Sequence, residues 1–100
     1  MFYAILGQDA PNSMEKRLSV RPAHMARVTV LQEQGRLLTA GPLCAQDIPD
    51  PLAAGFAGSL IIAEFDSLEE AQDWARQDPY SVEGVFSDIL VRPFVKLFPQ

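Results

Sequence analysis

His24 is the only histidine in this chain of 100 residues, and Arg21 and Arg27 stand three positions to either side of it. Histidine is the one side chain whose ordinary pKa lies near neutral pH, so a lone imidazole among cations is a natural seat for proton transfer. The plainer alternative is a core histidine hydrogen-bonded to a backbone carbonyl. Other chemistries find less support. No G-x-S-x-G elbow occurs, and Cys44, the single cysteine, has no local partner for nucleophilic catalysis. The glycine motifs that cradle phosphates are missing as well. One His, one Cys and scattered carboxylates give no ligand set for zinc, so neither a metal nor a cofactor is expected.

A general base needs a partner to fix its tautomer, and a carboxylate serves best. Of thirteen acidic residues, most fall on helix faces or in turns. Asp78 differs, because it ends a helical stretch just before Pro79-Tyr80. Two roles are open to it: N-cap of a short turn over residues 80–83 with Pro79 at N1, or partner of His24. With the two main helices taken as parallel to each other, the start of one and the end of the other lie far apart. Spacing alone therefore does not join Asp78 to His24.

Charge is unevenly spread. The net charge of −5 argues against nucleic acid as a partner. Residues 1–42 hold five cations (Lys16, Arg17, Arg21, Arg27, Arg36) against Asp9, Glu15 and Glu33, a net +2, while the remainder carries −7. A small anionic ligand near His24 and an ordinary solvated helix face both fit this bias.

The elements that must position these groups are legible from periodicity. Phe2 to Leu6 is a short strand, apolar on both faces and closed by Gly7. Asn12 and Glu15 have capping-box spacing for a first helical turn. Pro22 suits a helix N1 position, so the spacing predicts a break near residues 19–21 and a helix restarting at Pro22. His24, Val28 and Leu31 then share one inward stripe, with His24 near the helix start, and Gly35 ends the helix. Arg36 to Gly41 reads as a strand closed by Pro42. Residues 44–58, with two prolines and two glycines, read as a long connection: a lid, a binding loop or a partner contact on one reading, a mobile insertion on the other. Ser59 to Phe65 is a strand covered on both faces. Asp66 or Ser67 caps the next helix, with Ser67-Leu68-Glu69-Glu70 fitting a capping box, and the inner side of that helix holds Leu68, Ala71 and Ala75 with Trp74 alongside. Ser87 to Phe98 is the last strand, and Pro93 within it argues for an edge or a bulge.

The order β-α-β-β-α-β predicts an α+β, ferredoxin-like fold: a four-stranded antiparallel sheet with two helices on one face. Nothing in the chain is left to cover the other face, so a homodimer through the open sheet is expected. Composition, 48% apolar and 21% charged, is that of one globular domain over residues 1–100. No apolar run approaches the roughly 18–20 residues that span a bilayer, so no membrane partner is expected. The first residues lack a basic leader pattern, and the lone Cys44 fits a reducing compartment, so the expected location is cytoplasmic.

The chain resembles the YciI-like (YCII-related) family. The resemblance runs over nearly the whole length and is carried by Arg17-Leu18-Ser19-Val20-Arg21-Pro22-Ala23-His24, Gly35-Arg36-Leu37-Leu38-Thr39-Ala40-Gly41-Pro42, Gly58-Ser59, Ala63-Glu64-Phe65 and Asp78-Pro79-Tyr80. It implies a small cytosolic protein with a dimeric α/β barrel built from ferredoxin-like chains. It also implies a His–Asp pair as the active centre, which falls on His24 and Asp78. Some members are described as dehydrochlorinases of hydroxylated chloroaromatics. The expected activity is thus a cofactor-free lyase or isomerase acting on a small anionic or phenolic molecule. His24 and Asp78 would move the proton, Arg17 or Arg21 would offset negative charge, Ser19 would hydrogen-bond the substrate, and Gly41 would line its site. A non-catalytic module that binds a small ligand or a protein through the same pocket is the alternative.

Overall fold

The computed structural model describes residues 1–100 as β1 (Phe2–Asp9), α1 (Met14–Glu33), β2 (Leu37–Cys44), α2 (Pro51–Ala54), β3 (Phe56–Glu64), α3 (Leu68–Arg76), α4 (Pro79–Val82) and β4 (Phe86–Phe94). The strands form one antiparallel sheet in the order β2-β3-β1-β4, with Ile5 paired to Ile61 on one side and Val91 on the other. The two long helices lie on one face, as the element order predicts. No helix is long and apolar enough to cross a membrane.

Alternation along the central strands explains that layering. Tyr3 and Ile5 of β1, with Ile61 and Ala63 of β3, point to the helices and join Leu31, Phe65, Ala71 and Ala75 in the core. Val28, Leu37, Trp74, Ile89 and Val91 close around this cluster. The opposite sheet face keeps Leu6, Leu43 and Leu90 exposed. Pro93 sits opposite Tyr3 on edge strand β4, where its missing N–H spoils no second ladder.

Several expectations are corrected. Helix α1 is continuous from Met14 to Glu33 and carries Pro22 inside it, so His24 stands in mid-helix rather than near a restart. A proline within a helix forfeits one backbone bond and costs roughly 3 kcal/mol. Burying the stripe Arg17–His24–Leu31, whose members are spaced seven apart, offsets that cost. The N-cap is Ser13, not Asn12, whose φ of 58° puts it in a left-handed turn. Residues 44–58 are not one loose connection: Asp50 caps the single turn α2 through Leu52 N–H, and β3 begins at Phe56. The last strand runs over Phe86–Phe94 instead of residues 87–98. Ser67 does cap α3, accepting from the Glu70 N–H, and Gly35 follows α1 with φ of 71°.

One correction matters for the site. Strands β1 and β3 run antiparallel, so the helices that follow them also run in opposite directions. The end of α3 therefore comes back to the side where α1 begins, and the expected separation of Asp78 from His24 disappears.

Candidate functional site

The site begins with a local rule. Asp78 precedes proline, is held in extended backbone (φ −63°, ψ 139°), and caps α4 with Pro79 at its first position. Its Oδ1 accepts the Tyr80 N–H at 2.9 Å. The same carboxylate receives His24: Nδ1 lies 2.9 Å from both Oδ1 and Oδ2. Capping and pairing, which compete in the sequence, are thus performed together. Arg27 adds a third contact, its Nη1 standing 3.3 Å from Oδ2 and donating to the Trp74 carbonyl at 2.9 Å. Asp78 is 2% exposed, and donors from His24, Tyr80 and Arg27 surround its two oxygens. Burial pulls the Arg27 pKa below its ordinary value, and the Asp78 charge opposes that shift.

With an acceptor-only carboxylate at Nδ1, the neutral imidazole carries its proton there and leaves Nε2 as the acceptor. Nε2 has no protein partner, yet no sealed side-chain polar atom of the chain is unpaired. Nε2 therefore opens to the cavity that His24 lines, a space of about 520 Å³ between α1, β2 and the α2–β3 segment. Met25, Val28, Leu37, Pro42, Leu52 and Ile61 give that cavity an apolar wall.

A column of planar groups holds the imidazole in place. His24 stacks on Tyr80 with ring centroids 4.1 Å apart and planes 17° apart. The Arg17 guanidinium lies 4.5 Å from the Tyr80 ring centroid and 4.5 Å from that of Phe56. Arg17 and His24 are two helical turns apart, about 10.5 Å of rise, and Tyr80 fills the gap between them. Phe86 meets Tyr80 edge-on at 5.5 Å. Gly7 makes room for it, since a Cβ there would stand 2.5 Å from the Phe86 ring.

Each expected site residue has a definite place. His24 and Asp78 form the pair. Arg17 reaches the cavity, but its Nη1 is bound by both Asp9 oxygens at 2.7 and 2.8 Å, and its Nη2 donates to Ser59 Oγ at 2.6 Å. Burial raises the Asp9 pKa above 3.8, although Arg17 pulls it back. Arg21 lines the cavity with no protein partner, and Gly41 lines it from β2 with open space at its Cβ position. Ser19 is the exception. Five residues before His24, it falls on the far side of the helix, is exposed, and donates to the Lys16 carbonyl.

Sequence reasoning passed over Arg27, Tyr80, Asp9, Ser59 and Phe56. Arg27 was findable, because position i+3 shares a helix side with His24. Asp9 reads in sequence as one of the anions of residues 1–42, and nothing local marks it as the partner of Arg17. No three His, Cys, Asp or Glu side chains converge as a metal site would require.

The YCII-related domain model matches residues 1–95. Protein YciI of Escherichia coli is 59% identical over 98 residues, covering 98% of this chain and all of that one. An uncharacterized protein of Haemophilus influenzae is 54% identical over the same shares of the two chains. Among solved structures, 5-chloro-2-hydroxyhydroquinone dehydrochlorinase of Burkholderia phenoliruptrix, in complex with 2,5-dihydroxybenzoquinone, superposes with a TM-score of 0.85. It shares 24% sequence identity, over 95% of this chain and 94% of the other, a likeness of fold.

Proposed function

This chain belongs to the YCII-related domain family, and from that premise we propose that it is a cytoplasmic enzyme of the lyase or isomerase class that moves a proton on a small phenolic or anionic molecule without a cofactor. One observation carries the reading: His24 Nδ1 is held by both Asp78 oxygens at 2.9 Å while Nε2 faces a cavity of about 520 Å³. A base so oriented needs no further activation to accept a proton.

The cavity supports the substrate class. Its apolar wall suits an aromatic or similarly flat body, and unpaired Arg21 suits a negative oxygen at the polar end. Asp78 offsets the charge of the imidazolium that forms, and Arg27 helps to hold the carboxylate in place. Arg17, saturated by Asp9 and Ser59, acts here as a fixed platform for the Tyr80 ring rather than as a mobile ligand. The α2 turn, with Asp50, Pro51 and Leu52 on the cavity wall, limits access of water.

The test is a screen of hydroxylated chloroaromatics and small enols, reading chloride release and solvent-deuterium exchange. His24→Ala should lose at least about 100-fold in rate, the usual weight of a general base. Asp78→Asn should lose activity as well. If both variants match the wild type on a substrate that turns over, the proton-transfer reading fails.

The partner in this reading is a second copy of the chain, seated on the open sheet face where Leu6, Leu43 and Leu90 are exposed. Sedimentation at micromolar concentration should give a dimer, and a monomer there would remove this part of the proposal.

A further inference from the structure

Tyr80 is the cavity group whose chemistry the proposed reaction leaves unused. It is 2% exposed, and its ring is fixed by His24, Arg17 and Phe86. Its backbone N–H is bound by Asp78. Its hydroxyl has no partner in the protein and is not sealed in, so it opens to the cavity that Tyr80 lines. A phenolic oxygen on a ring held this firmly, with a free proton to give, is a preorganised donor.

We infer that the Tyr80 hydroxyl is the hydrogen-bond donor to the substrate oxygen on which negative charge builds when His24 takes up a proton. This rests on the proton-transfer reading above and assigns it a second reacting contact. His24 Nε2 accepts a proton from a C–H or O–H bond of the substrate. The electron pair of that bond passes to the substrate and comes to rest on its oxygen. Tyr80 donates its O–H to that oxygen and keeps its own proton, and His24 returns the first proton to another substrate atom. No oxidant or further reactant is involved.

Two features of the surroundings agree. Burial raises the Tyr80 pKa above 10.0 although Arg17 and Arg21 oppose the shift, so the hydroxyl holds its proton at neutral pH. The same two guanidinium groups favour an anionic oxygen beside Tyr80, against the opposing charges of Asp78 and Asp9. The parallel rings of Tyr80 and His24 set the donor and the base on adjacent layers of one column, an arrangement suited to a flat ligand carrying both reacting atoms.

The experiment uses two probes, 4-nitrophenol and nitrobenzene, with the wild type and Tyr80→Phe, which keeps the ring and removes only the hydroxyl. The wild type should bind 4-nitrophenol and shift its ionisation toward the yellow phenolate. Tyr80→Phe should lose about tenfold or more in phenolate affinity together with that shift, as expected for a hydrogen bond to a charged oxygen. Its nitrobenzene affinity should stay within about twofold of wild type. Equal phenolate binding by the two proteins overturns the inference. Equal weakening of both probes also overturns it, because the ring would then serve packing alone. If the wild type binds neither probe, the cavity reading itself fails and takes this inference with it, a failure visible before any substitution is made.

Discussion

His24 and Tyr80 lie face to face, their ring centroids 4.1 Å apart and their planes inclined by 17°. The imidazole is thereby held on its face as well as at its Nδ1 edge, where Asp78 grips it. An imidazole fixed in two directions has little freedom left to lose on ligand binding, which is the geometric condition for the proton transfer proposed above.

The first consequence concerns the tautomer. His24 is the single histidine, so its ring nitrogens are identifiable by 15N NMR without further assignment. At neutral pH the deprotonated ring should carry its hydrogen on Nδ1 in the wild type. A ring found chiefly as the Nε2–H form would contradict the donor role of Nδ1.

Asp78→Ala should cost about 3–5 kcal/mol in urea denaturation. The substitution leaves the Nδ1 of His24, the N–H of Tyr80 and an Nη1 contact of Arg27 without their acceptor at once. A loss under 1 kcal/mol would mean that solvent reaches these groups freely.

Asp9 gives a pH signature of defined sign. Its folded-state pKa is raised above 3.8, chiefly by burial, so the folded protein holds the Asp9 proton more tightly than the unfolded chain does. The stability supplied by that proton is present below pH 3.8 and is lost as pH rises through the higher folded value. The stability of the wild type relative to Asp9→Asn should therefore fall as pH rises through this window and level off above it. Paired denaturation curves across acid pH check this, and a rising difference would reverse the conclusion.

Gly58→Ala should destabilise the sheet. A Cβ at Gly58 would collide with the Gly7 carbonyl oxygen on β1, and backbone on a central strand yields little. Overpacking of this kind costs about 1–3 kcal/mol. The thermal midpoint of Gly58→Ala should drop, while Gly41→Ala, with nothing within 4 Å of its Cβ position, should keep its own.

Much of the fold was legible because its signals are local. Strand periods, the Ser67 cap and the Gly35 stop depend on neighbours in the chain; the cap and the stop appear where their patterns fall, and all four strands appear with shifted ends. His24 was legible as well, since the spacing to Val28 and Leu31 defines an inward stripe. Pro22 misled, because proline chemistry predicts a boundary while tertiary burial of Arg17 and His24 carries the helix straight through. The His24–Asp78 pair came from family resemblance, since the relative direction of two helices is a property of sheet topology. The Arg17–Asp9–Ser59 knot was invisible for the same reason: three elements meet there with no shared local pattern.

The His24 and Asp78 side chains meet across 54 residues of sequence. On a ribosome, the helix that carries the base emerges long before the turn that carries its carboxylate, and the wall beneath Tyr80 waits for Phe86 of the last strand. No shortened nascent chain ending before that strand can hold the complete column, so the centre proposed above is a late product of synthesis and a reporter of completed folding. Proton-transfer competence and native topology should then appear together in a refolding experiment, with no active intermediate preceding the docking of β4.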